Sequence, residues 1–173
     1  HRPRGVQAAR LVLAVAADAK AKSFKAAVAK GLSLLKDGGA GHVAIAAAEG
    51  LQLEADHARV AVLTVADGTY LFRLTKPSAP KAGALKKVTL LSPADQAAAV
   101  KAGIQQGQGI AEGVTLAREL GNRPANHCTP TDLASEARRL AKASKLIKAE
   151  VLERPALEKL GMGSFLSVTN GSA

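Results

Sequence analysis

The residues best equipped for chemistry in this 173-residue chain lie in one stretch, Gly121-Asn122-Arg123-Pro124-Ala125-Asn126-His127-Cys128-Thr129-Pro130. His127 and Cys128 are the residue types of a thiol–imidazole nucleophile, in which the base draws the proton from the thiol. Neighbours in an extended loop rarely face each other, however, and such a pair is normally assembled from separate parts of a fold. A metal site needs three or four converging ligands. The histidines are His1, His42, His57 and His127, and no two are three or four residues apart, the spacing that aligns ligands on one helix face. His57, next to Asp56 in a helical pattern, reads as an exposed histidine. The glycines at 103, 107, 109 and 113 fall inside a helical pattern. A phosphate cradle requires them between a strand and a helix N-terminus, so they read as helix packing. Gly38-Gly39-Ala40-Gly41 follows a helix and precedes a strand, which makes it a turn. The residues themselves therefore assign no catalytic, cofactor-binding or metal-ligating group.

The elements that must position these residues begin with Arg10–Ala17, a short apolar run of the kind made by a strand buried on both faces. It is expected at the centre of a sheet. Ser23 can cap a helix carrying Phe24, Ala27, Val28, Leu32 and Leu35 on one face, which Asp37-Gly38-Gly39 ends. Residues 42–48 repeat the buried-strand pattern, so 10–48 read as a β-α-β unit with a right-handed crossover. Residues 55–73 mix strand-favouring and helix-favouring types, with Leu63, Ala66, Tyr70 and Leu74 spaced for a helix. Lys76–Lys81, with two prolines, is a surface loop, and residues 86–91 form another short strand.

Ser92-Pro93-Ala94-Asp95 predicts a helix start, with Ser92 as the cap and Pro93 at the first helical position. That helix is expected to reach Leu120, and Gly121 sits where a left-handed residue would close it. Thr129-Pro130-Thr131-Asp132 repeats the capping logic for a helix with Leu133, Ala137, Leu140 and Ala141 on one face and Arg138, Arg139 and Lys142 on the other. Ile147, Ala149 and Val151 alternate as in a half-buried strand. Pro155–Leu160 makes a short helix closed by Gly161, and residues 164–168 begin another strand.

Hydrophobic residues make up 47% of the chain and charged residues 22%, the balance of a folded globular sequence. The aromatics are Phe24, Tyr70, Phe72 and Phe165, so the core must be built from Ala, Val, Leu and Ile. One cysteine excludes an internal disulfide, and no apolar stretch of about 18 residues suggests a membrane span, which makes a cytoplasmic protein the expectation. The net charge of +10 is uneven: residues 1–92 hold 14 Lys/Arg against 6 Asp/Glu, and residues 93–173 hold 10 against 8. A basic first half could neutralise duplex phosphates or could be solvated helix faces, whereas the scarcity of aromatics argues against a single-strand binder. The absence of a starting Met, with the sole Met at 162, predicts a piece of a longer protein.

Leu116–Ala134 resembles the junction of the leucine aminopeptidase, or cytosol aminopeptidase, family. There a long helix ending Leu-Gly-Asn leads into a Pro-x-Asn-x-x-Thr-Pro turn and a helix starting Leu-Ala. The matching residues are Leu120, Gly121, Asn122, Pro124, Asn126, Thr129, Pro130, Leu133 and Ala134. Leu160-Gly161-Met162-Gly163-Ser164, followed by Leu166, Val168, Gly171 and Ser172, is similar to the family's next block.

The resemblance implies an α/β protein in three parts. Residues 1–92 would be an N-terminal three-layer domain with a mainly parallel sheet flanked by helices, 93–121 a long connecting helix, and 122–173 the incomplete start of a second α/β domain. It implies a homohexameric exopeptidase that removes N-terminal residues from peptides, using two divalent ions, Mn or Zn, that polarise the carbonyl and activate a hydroxide. The family's metal ligands, its catalytic lysine and arginine, and its Asn-Thr-Asp-Ala-Glu-Gly-Arg signature all fall downstream of residue 173, so the chain alone is expected to be inactive and truncated at both ends. Some family members also bind DNA. An α/β module that binds duplex DNA or a nucleotide, without peptidase chemistry, is the alternative.

Overall fold

Val43 and Ile45 on one strand, and Val88 and Leu90 on the other, turn the apolar face of a two-stranded parallel sheet toward the helices. In this computed structural model, which describes residues 7–75, 78 and 83–170, the strands are β1 (His42–Ala46) and β2 (Lys87–Leu91). They pair in register, His42 with Lys87 through Ala46 with Leu91. Ile45 and Leu90 pack against a core of Phe24 and Val28 from helix α1 (Ala21–Leu35), Leu53, Ala58 and Ala61 from and just before α2 (Ala55–Thr69), and Val100 from α3 (Ala97–Asn122). Helices α4 (Pro130–Ala143), α5 (Arg154–Lys159) and α6 (Gly163–Ser167) follow. The chain divides into two compact units, residues 1–122 and 123–173.

In α1, Phe24, Val28 and Leu32 are buried at four-residue steps, and the helix ends through a single 3-10 turn at Gly39, whose φ of 75° suits a residue without a side chain. It begins at Ala21, flanked by Lys20, so Ser23 lies within its first turn and does not cap it. The mixed segment 55–73 resolves as helix. Thr64 and Thr69 donate their hydroxyls to the carbonyls of Val60 and Val65, which lets β-branched residues sit in α2 without orphaned polar atoms.

Several expected elements differ. Arg10–Ala17 is extended but is no strand, because a strand exists only through a partner ladder and β1 pairs with β2 alone among the described residues. Ser92 and Pro93 do not open an α-helix: a 3-10 turn, Ala94–Gln96, intervenes, and Gln96 accepts the Leu53 amide at 2.8 Å. Gly121 is helical, since α3 runs on to Asn122. Residues 147–151 form no strand, again for want of a ladder, whereas 164–168 wind into α6, where Ser167 Oγ bonds the Ser164 carbonyl at 2.7 Å. The short helix before Gly161 forms as expected, with Gly161 at φ 71°. Most of the Lys76–Lys81 loop lies outside the described residues.

Candidate functional site

Helix α3 delivers the chain to the chemically richest stretch, and its last turn is held to α2 by a cluster of four side chains. Arg118 Nη2 lies 2.5 Å from Asp67 Oδ1, and its guanidinium sits 5.1 Å from the centre of the Tyr70 ring. Asn122 Nδ2 donates to the Tyr70 hydroxyl at 3.1 Å. One side of the clamp is an i, i+3 pair on and just after α2, and the other is an i, i+4 pair on α3. That spacing is the only sequence signal of it, and nothing local says which helix it faces.

Beyond Asn122 the stretch folds by local bonding. His127 N–H donates to the Pro124 carbonyl at 2.8 Å and closes a 3-10 turn, Ala125–His127. Thr129 then caps α4: its hydroxyl accepts from Asp132 N–H at 3.3 Å, and Asp132 Oδ2 accepts from Thr129 N–H at 2.8 Å. This reciprocal pair satisfies two of the helix's orphan donors. The Thr129 amide, with its hydroxyl second, holds the Asp132 carboxyl below the usual aspartate range, and Arg123 and His127 add weakly in the same direction. The guanidinium of Arg139, hydrogen-bonded to Glu136, likewise lowers the Glu136 carboxyl.

His127 is exposed and Cys128 half-buried and free, and no hydrogen bond joins the two. The stretch therefore ends one helix and starts the next. Among the described residues no three His, Cys, Asp or Glu side chains converge as metal ligands, so these residues do not fit a dimetal site.

The helical glycines divide sharply. A Cβ at Gly103 would overlap the Ala55 carbonyl, and one at Gly107 would come within 2.8 Å of Val62 Cβ, whereas Gly109 and Gly113 face open space. The first two let α3 lie directly on α2.

His57, expected at the surface, is 4% exposed. Its Nδ1 accepts from Glu54 N–H at 3.2 Å, its Nε2 bonds the Ala19 carbonyl at 2.8 Å, and the ring meets Phe24 edge-on with centroids 5.4 Å apart. That pattern puts a proton on Nε2 and makes the ring a staple between the α2 N-terminus and the segment before α1. The neighbouring Asp56 misled, because Asp56 turns outward to Arg59 at 3.0 Å and His57 turns inward.

Residues 115–173 match the family described as "Cytosol aminopeptidase family, catalytic domain". Across 99% of its length the chain is 55% identical to a probable cytosol aminopeptidase of Methylibium petroleiphilum, covering 35% of that protein. It is 38% identical over its full length to one from Polaromonas naphthalenivorans, of which it covers 33%, and 48% identical over 66% of its length to the cytosol aminopeptidase of Pseudomonas aeruginosa, covering 23%. The chain thus spans about a third or less of these relatives. Among solved structures, the bottromycin maturation enzyme BotP in complex with Mn superposes with a TM-score of 0.70 at 27% identity, over 89% of this chain and 31% of that one.

Proposed function

The chain belongs to the cytosol aminopeptidase family, and from that premise we propose that it is the N-terminal domain, connecting helix and first part of the catalytic domain of a dimetal leucyl aminopeptidase. The observation that carries this reading is 55% identity over 99% of the chain. In this reading residues 1–92 are the N-terminal domain, 93–121 the connecting helix and 122–173 the opening of the catalytic domain. The whole protein hydrolyses N-terminal residues from peptides in the cytoplasm as a homohexamer, with two Mn or Zn ions. BotP's complex with Mn lends the metal class support.

None of the 173 residues is a metal ligand or catalytic group in this proposal. Asn122, Thr129 and Asp132 shape the junction, and the dimetal chemistry belongs to residues outside the sequence described here. The clamp on Arg118 and Asn122 then ties the C-terminal end of α3 to α2.

Leucine-p-nitroanilide with added Mn²⁺ or Zn²⁺ tests both parts. The purified 173-residue chain is expected to give no turnover above background; metal-dependent turnover would overturn its assignment as a non-catalytic piece. A longer protein containing these residues is expected to turn over with either metal. Silence of that protein with both metals and a range of aminoacyl anilides would sink the peptidase reading.

A further inference from the structure

Of the asparagines in the chain, Asn122, Asn126 and Asn170, only Asn170 precedes a glycine, Gly171. That pairing carries its own chemistry. An asparagine side chain is an amide electrophile within reach of the backbone nitrogen of the residue that follows, and glycine, which has no Cβ, leaves that nitrogen the least hindered. What turns the pairing into a site is Arg154, at the N-terminus of α5. Its Nη2 donates to Thr169 Oγ1 at 2.9 Å and to Asn170 Oδ1 at 3.4 Å, while its Nη1 lies 3.5 Å from Glu158 Oε1. Thr169 and Glu158 anchor the guanidinium. The bond to Asn170 then sets a cationic donor on the oxygen that gathers negative charge when the amide carbon is attacked. Asn170 is exposed, so water reaches it. The other two asparagines are guarded. Asn122 precedes Arg123, and its Nδ2, the group that would have to depart, is bonded to the Tyr70 hydroxyl at 3.1 Å. Asn126 precedes His127, whose N–H, the attacking group there, is committed to the Pro124 carbonyl at 2.8 Å.

We propose that Asn170 is a self-modification site, at which the Arg154 guanidinium assists the loss of ammonia from the side chain. The backbone nitrogen of Gly171 attacks Cγ of Asn170. The proton that nitrogen gives up leaves with the Nδ2 group as ammonia, and a succinimide ring remains. Water then opens the ring at one carbonyl or the other and leaves isoaspartate or aspartate. Water is the sole co-reactant, and nothing is oxidised or reduced. Either product sets a carboxylate beside Arg154 where a neutral amide stood, so the step exchanges a hydrogen bond for an ion pair. The isoaspartate product also lengthens the backbone by a methylene at the end of α6. The site stands independently of any peptidase activity.

Peptide mapping by mass spectrometry, after incubating the purified chain at mildly alkaline pH in heavy-oxygen water, tests the proposal. The peptide holding Asn170 is expected to convert to a mixture of isoaspartate and aspartate carrying the heavy oxygen, while Asn122 and Asn126 stay intact over the same time. Conversion of all three at one rate, or of none, overturns the site. Aspartate without isoaspartate overturns the succinimide route. The part played by Arg154 is read from Arg154→Gln, which is expected to convert at least about threefold more slowly, well short of the roughly hundredfold supplied by a buried donor to an oxyanion. Arg154→Lys, which keeps a cationic donor, should recover part of the rate. In urea-unfolded chains the wild type and both variants should convert alike, which separates loss of the guanidinium from loss of the fold. An unchanged rate in folded Arg154→Gln, or a difference that persists in urea, overturns the assistance by Arg154.

Discussion

Thr129 and Asp132 show how much a few side chains decide at the junction. Removing the cap with Thr129→Ala leaves an orphan donor at the start of α4, and is expected to cost about 1 kcal/mol, read from chemical denaturation of the second unit. The Asp132 carboxyl titrates lower when folded because the Thr129 amide and hydroxyl bond its charged form. Its contribution is therefore complete above the unfolded aspartate range and is lost as pH falls through the lowered folded value. Far-UV circular dichroism should show α4 helicity declining at the acid end of a titration from pH 7 to 2. In Asp132→Asn the decline should be smaller, and an identical decline in both would remove this carboxylate from the account. His57 carries more, because it satisfies two backbone groups from a buried position. His57→Ala orphans the Glu54 N–H and the Ala19 carbonyl, and a loss on the order of 2 to 4 kcal/mol in urea unfolding is expected.

At the scale of elements, the crossing of α2 and α3 makes opposite predictions for glycines that look alike in sequence. Gly103→Ala and Gly107→Ala force the helices apart, and each should destabilise by about 1 to 3 kcal/mol. Gly109→Ala and Gly113→Ala meet nothing within 4 Å and should stabilise by about 0.5 to 1 kcal/mol. Paired thermal melts check both signs, and a stabilising Gly103→Ala would refute the close crossing. Helical spacing exposed this surface in the sequence only in part, since the glycines at 103, 107, 109 and 113 all read as helix packing and only the first two meet α2. The legible elements were those set by local chemistry: α1 by its four-residue apolar steps, β1 and β2 by short β-branched runs, and α4 by the Thr129–Asp132 pair. The expected strands at 10–17 and 147–151 were not decidable locally, because a strand needs a partner and a sequence names none. His57 was misjudged for a related reason, its partners Ala19 and Phe24 lying more than thirty residues away.

At the scale of the whole molecule, burial is divided unequally. Among the described residues every buried core residue, from Phe24 to Val100, lies in the first unit, whereas α4, α5 and α6 bury none. A segment of about fifty residues must offset roughly 1 to 2 kcal/mol of backbone entropy per residue, and half-exposed side chains such as Leu133, Ile147 and Phe165 supply little of the apolar burial that does so. The second unit of this chain should therefore open well below the melting point of the first. Hydrogen exchange followed by mass spectrometry is expected to show peptides from 123–170 exchanging through low-energy openings while α2 and the buried turns of α1 and α3 stay protected to near global unfolding. A shortened chain ending at Asn122 should keep the main thermal transition within a few degrees, because it removes none of the described residues that are buried. If the two units instead exchange at one common rate, or the shortened chain loses its transition, then residues 123–173 stabilise the first unit and the division of the molecule is wrong.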